Sequence, residues 1–193
     1  MLEQIIFIVV AGVGILLATR AFLAIRDKIL MGKSVGASFE DQGQRWRNVL
    51  LVSFGQKKMF KRWIPAIFHL FIYVAFLFTQ IELIEIIIDG VSGSHRFFAD
   101  TLGVVYTILI NTIEVLSLLA FIATLIFLAR RNLLRTPRLH MDEMTGWPKL
   151  DGNIILYLEI LLIVGIFTMN GTDVLLQEMD PKHYPDTGPL AVS

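Results

Sequence analysis

Four apolar runs, Gln4 to Ile25, Ile64 to Ile88, Gly103 to Ala129 and Asn153 to Thr172, each supply the roughly 20 residues a helix needs to cross about 30 Å of hydrocarbon. Inside a bilayer every backbone polar group must be satisfied within the protein, so runs of this length fold as transmembrane helices. Composition agrees: 55% of the 193 residues are hydrophobic, more apolar surface than a soluble core of that size buries. The expected fold is all-α, an integral membrane four-helix bundle with both termini on one side. The first run reads as a retained helix, because Glu3 is the only charge before it and Thr19-Arg20-Ala21-Phe22 is no small-residue cleavage site.

The segments between the runs are unequal in charge. Residues 26–63 carry nine Lys and Arg and residues 130–152 carry five. The connection 89–102 has only Arg96, and the tail 173–193 has Lys182 against Asp173, Glu178, Asp180 and Asp186. The positive-inside rule puts both basic loops in the cytoplasm and both termini outside. Because these charges flank spans, topology accounts for them and no nucleic-acid partner is implied. Within the first loop, Trp46, Val49, Leu50 and Phe54 recur at helical spacing, with Arg45, Arg47, Gln56 and Lys57 elsewhere on the wheel. This pattern predicts an amphipathic helix at the interface, either a docking face or a cover for the bundle. Trp63, Trp147 and Tyr184 near span ends suit interfacial anchoring.

Polar side chains within the spans are the candidates for chemistry. His69 lies about five residues into the second run, and Tyr73, Phe76 and Gln80 fall within about 40° of it on a 100° wheel. A haem takes a neutral imidazole as axial ligand and packs against aromatic or small residues, and this stripe offers both; a hydrogen bond to a neighbouring helix is the simpler alternative. Glu82 and Glu85 lie near the far end of the same run, Glu114 in the middle of the third and Glu159 in the fourth. Carboxylates at such depths relay protons, bind a quinone hydroxyl, pair with a cation, or hydrogen-bond as protonated structural acids between helices. His95 is a second candidate metal ligand. It is 26 residues from His69, about 39 Å along a helix, so the two serve different sites. His140 and His183 read as solvated loop residues. The absence of cysteine excludes an iron–sulfur ligand, a Cys-x-x-Cys-His haem attachment and a disulfide within this sequence.

The stretch Gly55-Gln56-Lys57-Lys58-Met59-Phe60-Lys61-Arg62-Trp63-Ile64-Pro65-Ala66-Ile67-Phe68-His69 resembles the segment that opens the second span in membrane-bound iron–sulfur oxidoreductases related to heterodisulfide reductase. Ile84 to Gly90, Ser94-His95-Arg96 and Met144 to Lys149 extend the likeness, above all to Bacteroidetes-type forms. Those enzymes join a cytochrome b domain, similar to the gamma subunit of respiratory nitrate reductase, to a cytoplasmic domain with two [4Fe–4S] clusters. The resemblance implies a bacterial inner-membrane location with periplasmic termini and a haem b ligated by His69. It also implies menaquinone as electron partner and electron-transfer flavoprotein as a possible donor; Gln56, Gln80 and Glu85 are polar groups at depths suited to a quinone, and Tyr73 and Glu114 are further cofactor-binding candidates. The opposing histidines and the cysteine-rich domain would lie beyond this sequence, in a continuation of the polypeptide or a separate subunit. Nitrate reductase gamma subunits carry two histidines on the matching helix, whereas His69 stands alone here.

The expected function is that of a membrane cytochrome b-type subunit moving electrons between cytoplasmic iron–sulfur clusters and the menaquinone pool, incomplete as an enzyme by itself. The alternative is a non-catalytic anchor or assembly subunit that docks a soluble partner. A transporter is disfavoured by the lack of an internal repeat or a broken helix pair.

Overall fold

The computed structural model describes residues 2–32, 41–134, 137, 141, 146–180, 184 and 189–192. It is all-α, and among these residues there is no strand. Four helices are long and apolar enough to cross a membrane: α1 (Leu2–Leu30), α3 (Trp63–Ser92), α5 (Val104–Asn132) and α6 (Trp147–Met179). Two short helices intervene, α2 (Gln42–Asn48) and α4 (Phe97–Leu102). Every long helix outruns its apolar sequence run, because polar residues that read as loop, Asp89 and Asp173 among them, continue the helical hydrogen bonding. His140, His183, Met144, Thr145 and the start of the expected interfacial stretch lie outside the described residues.

The chain divides into two compact units, residues 1–63 with 90–93, and residues 64–89 with 94–193. In the first, α1 buries no residue, so nearly its whole surface is apolar and exposed. The amphipathic pattern near Trp46 is helical as expected, but it is not one regular helix. α2 passes into a π-helical segment, Val49–Phe54, with Gly55 N–H donating to Leu50 O at 2.7 Å and Lys57 N–H to Leu51 O at 3.1 Å. A Cβ on Gly55 would stand 2.8 Å from Leu51 O, so only glycine admits this closure. The next residue, Gln56, turns left-handed at φ 49°, and its amide donates to Ser53 O at 2.8 Å. Trp46, Leu50 and Phe54 are all exposed.

In the second unit α5 is the best buried helix. Tyr106, Ile110, Ile113, Glu114, Ser117, Ala120, Ala123 and Thr124 recur three or four residues apart or side by side, a single broad face turned inward. That face is apolar and small at one end, where Ala75, Ala120 and Ile163 pack with Ile72, Leu116, Phe121 and Phe167. Alanines let helix backbones approach closely, which substitutes for the missing hydrophobic drive in lipid. α5 and α6 also meet at their loop ends, where Asn132 and Asn153 exchange amide hydrogen bonds of 3.0 and 3.3 Å. There Arg131 donates to Pro148 O at 2.8 Å across the hydrogen face of Gly152. α6 starts with Pro148 in its first turn, where a missing N–H costs nothing. Toward the opposite end of α5 the inward face turns polar.

Candidate functional site

Two arrangements on α3 answer to the sequence expectations, and they lie on opposite sides of the helix. Ala75, Glu82 and Glu85 are buried, and so is Ala66 at the start of the helix, which lies beside Tyr73 on the wheel. The stripe His69, Tyr73, Phe76 and Gln80 is centred about 165° around the wheel from Ala75, Glu82 and Glu85. His69 and Phe76 are exposed, while Tyr73 and Gln80 are half-buried. Gln80 spends its amide on its own helix, donating to Phe76 O at 3.2 Å. His69 has no hydrogen-bond partner among the described residues. The hydrogen bond to a neighbouring helix, weighed above as the simpler role for His69, is therefore not made within the described part of this chain.

On the inward side, α3, the turn after it, α5 and α6 converge on Arg96. The turn is built by Asp89, whose carboxylate accepts from Ser94 Oγ at 2.9 Å, Arg96 N–H at 2.8 Å and Phe97 N–H at 3.1 Å. These bonds hold Arg96 in the left-handed region, φ 53° and ψ 58°, a conformation costing a non-glycine residue about 1–2 kcal/mol. The result is that the guanidinium turns into the bundle and is 5% exposed. Its Nε donates to Asp173 Oδ2 at 2.6 Å, Nη2 to Asn170 Oδ1 at 2.6 Å, and Nη1 to Tyr106 OH at 3.2 Å and Glu82 Oε1 at 3.4 Å. Glu85 Oε2 stands 3.7 Å from Nη1. Burial works against the charge on Arg96, but Tyr106, Asp173 and Glu82 outweigh it and hold its pKa above the ordinary value.

The network extends from there. Glu85 accepts from Tyr106 OH at 2.7 Å and from Phe98 N–H at 2.9 Å. Asn170 passes the connection to Glu114, donating to Oε1 at 3.3 Å, and Glu114 Oε2 accepts Ala191 N–H and Val192 N–H, each at 2.9 Å. His95 Nε2 lies 3.2 Å from Asp173 Oδ1, and its ring meets Tyr184 edge-on at 4.8 Å between centroids. The cluster thus joins Glu82, Glu85 and Glu114, all named in the sequence, to Arg96, Tyr106, Asn170 and Asp173, which were not.

Of the expected site residues, Glu85 and Glu114 share this network. Tyr73, Gln80 and His69 share the outward stripe, and Gln56 belongs to the other unit. His95 sits at the edge of the acidic cluster beside Asp173. Glu159 is half-buried on α6, away from this list of contacts. Among the described residues no three His, Cys, Asp or Glu side chains converge as a metal ion's full protein ligand set would. A haem asks less of one chain: a single outward imidazole flanked by aromatics fits one axial position, and His69 with Tyr73 and Phe76 meets that description. The cluster, in contrast, is suited to holding and exchanging charge in the form of protons. No family model, no curated protein and no solved structure matches the chain.

Proposed function

We propose that the protein is a membrane-embedded redox subunit that offers His69 from the outward face of α3 as one axial ligand of a haem b shared with a further polypeptide segment. The observation that carries this reading is the exposed imidazole within an apolar span, without a hydrogen-bond partner among the described residues. A polar ring facing hydrocarbon is costly, so such a group is kept where something outside the helix receives it. Bound haem would supply one-electron transfer, and Tyr73 and Phe76 would pack along it. The second imidazole would come from a companion segment, which would also bring the cysteines of the iron–sulfur clusters. The likeness of Gly55 to His69 to the heterodisulfide reductase-related oxidoreductases supports the same reading, with menaquinone as the electron partner in a bacterial inner membrane. In that orientation the basic loops face the cytoplasm and the termini the periplasm.

The test is composition. The tagged chain recovered from its native membrane in mild detergent should carry haem iron, acid-labile sulfide and a cysteine-rich companion segment in fixed ratio. Recovery without haem or iron–sulfur would leave only a non-catalytic anchor.

A further inference from the structure

Four carboxyl groups, Glu82, Glu85, Glu114 and Asp173, are each 4% exposed or less, and the one buried guanidinium among them is Arg96. Fully ionised, the group would hold three uncompensated negative charges, or two with His95 as imidazolium. Isolated buried charges are so costly that titratable groups neutralise instead. A cluster of this composition therefore takes up protons, and the carboxyl group with the fewest donors is the first to hold one.

The hydrogen bonds say where the charge goes. Glu85 has two donors, Tyr106 OH and Phe98 N–H, besides the nearby guanidinium. Glu114 has three, Asn170 and the N–H groups of Ala191 and Val192. Asp173 holds the 2.6 Å bond from Arg96 and faces His95. In each of these three, both carboxyl oxygens face a hydrogen-bond donor or the His95 ring. Glu82 is not. Its Oε1 has one long contact to Arg96, 3.4 Å, and its Oε2, in a residue 2% exposed, has no partner among the described residues. Glu85, three residues on, shares the same buried face of α3. On α5, three residues past Glu114, the buried Ser117 Oγ is another polar atom without a partner among the described residues.

We propose that this cluster is a proton-holding site, in which Glu82 is the resident protonated acid and Asp173 with His95 the exchange point toward water. His95 suits that role because its side chain is 29% exposed while Asp173 is 6%, so one imidazole nitrogen contacts the cluster at its solvent edge. The titratable and charged groups that share the cluster with Glu82 among the described residues are Glu85 on α3, His95 and Arg96 in the turn, Tyr106 and Glu114 on α5, and Asp173 on α6. The site stands apart from the His69 stripe, and its readout does not involve haem.

The experiment is infrared difference spectroscopy of the full chain in lipid nanodiscs. At neutral pH the wild type should show the carbonyl stretch of a protonated carboxylic acid, shifted in heavy water. Glu82→Gln, a neutral isostere, should lose that band and fold with unchanged thermal stability, whereas Glu85→Gln should keep the band and unfold at lower temperature. His95→Ala should leave the band and slow its hydrogen–deuterium exchange at least tenfold. A band that survives Glu82→Gln overturns the assignment, as does a wild type without the band whose stability rises with added sodium, which would make the site a cation site. A Glu82→Gln protein that fails to fold overturns it equally, since a protonated acid should tolerate that exchange.

Discussion

Replacing Arg96 with methionine removes the cation on which the inward end of α3, α5 and α6 converges while keeping much of the side chain's length. Its guanidinium makes two hydrogen bonds of 2.6 Å, to Asp173 and Asn170, and reaches Tyr106 and Glu82 at 3.2 and 3.4 Å. Breaking a buried pair by removing one partner costs about 3–5 kcal/mol, because the other is left charged and dry. Here Asp173, itself buried, is that partner, and Asn170 loses the donor to its carbonyl. The methionine also inherits a left-handed backbone that cost about 1–2 kcal/mol before and now has no ion pair to hold it. The expected loss is therefore at the upper end, about 4–5 kcal/mol, reduced to the extent that Asp173 takes up a proton. Arg96→Lys should lie between, since a point charge cannot serve Asp173 and Asn170 at once in the fixed fork geometry. Unfolding by a denaturing detergent titrated into mild micelles measures both, with Asp173→Asn as the second arm of a double-mutant cycle. The double variant should cost less than the two singles together. An Arg96→Met protein within about 1 kcal/mol of wild type, with no coupling to Asp173, would refute the view that this network holds the helices together.

Two further outcomes follow from the packing and the loops. Ala120→Leu puts three extra carbons into the contact with Ala75 and Ile163 and should destabilise the second unit by about 1–3 kcal/mol in the same assay, whereas Leu125→Ala on the exposed side of α5 should be near neutral. Reporter fusions after Lys57 and Lys149 should read cytoplasm and those after Gly93 and Asp186 periplasm; reversed labelling at Gly93 would invert the topology.

The spans were legible because a hydrocarbon slab imposes a length and a composition that a single sequence displays openly. Glu82, Glu85 and Glu114 were legible for the same reason, as carboxylates where few are tolerated. Arg96 and Asp173 were not. Each sits just beyond an apolar run, where a charge ordinarily meets water, and each is buried only because the Asp89 turn folds the chain back and α6 continues to Met179. The signal that could have found them was the imbalance itself: Glu82, Glu85 and Glu114 in the second and third runs, with no lysine or arginine in the second, third or fourth. The π-helical closure at Gly55 was also hidden, since the amphipathic pattern from Trp46 to Phe54 is compatible with a regular helix and only the backbone bonds distinguish the two. On α3, helical periodicity places His69, Tyr73, Phe76 and Gln80 along one stripe, but periodicity alone does not say which side of the helix its neighbours cover.

The claim that His69 is an iron ligand is tested most directly by the reduced-minus-oxidised absorption spectrum of membranes carrying the wild-type chain, His69→Ala or His95→Ala, each with its companion segments and normalised to the amount of inserted protein. Insertion depends on hydrophobicity, so all three should reach the membrane equally. The account predicts a low-spin b-type band in the wild type, its loss or a marked shift in His69→Ala, and its retention in His95→Ala, whose ring is committed to Asp173 and Tyr184. A band unchanged by His69→Ala would contradict it.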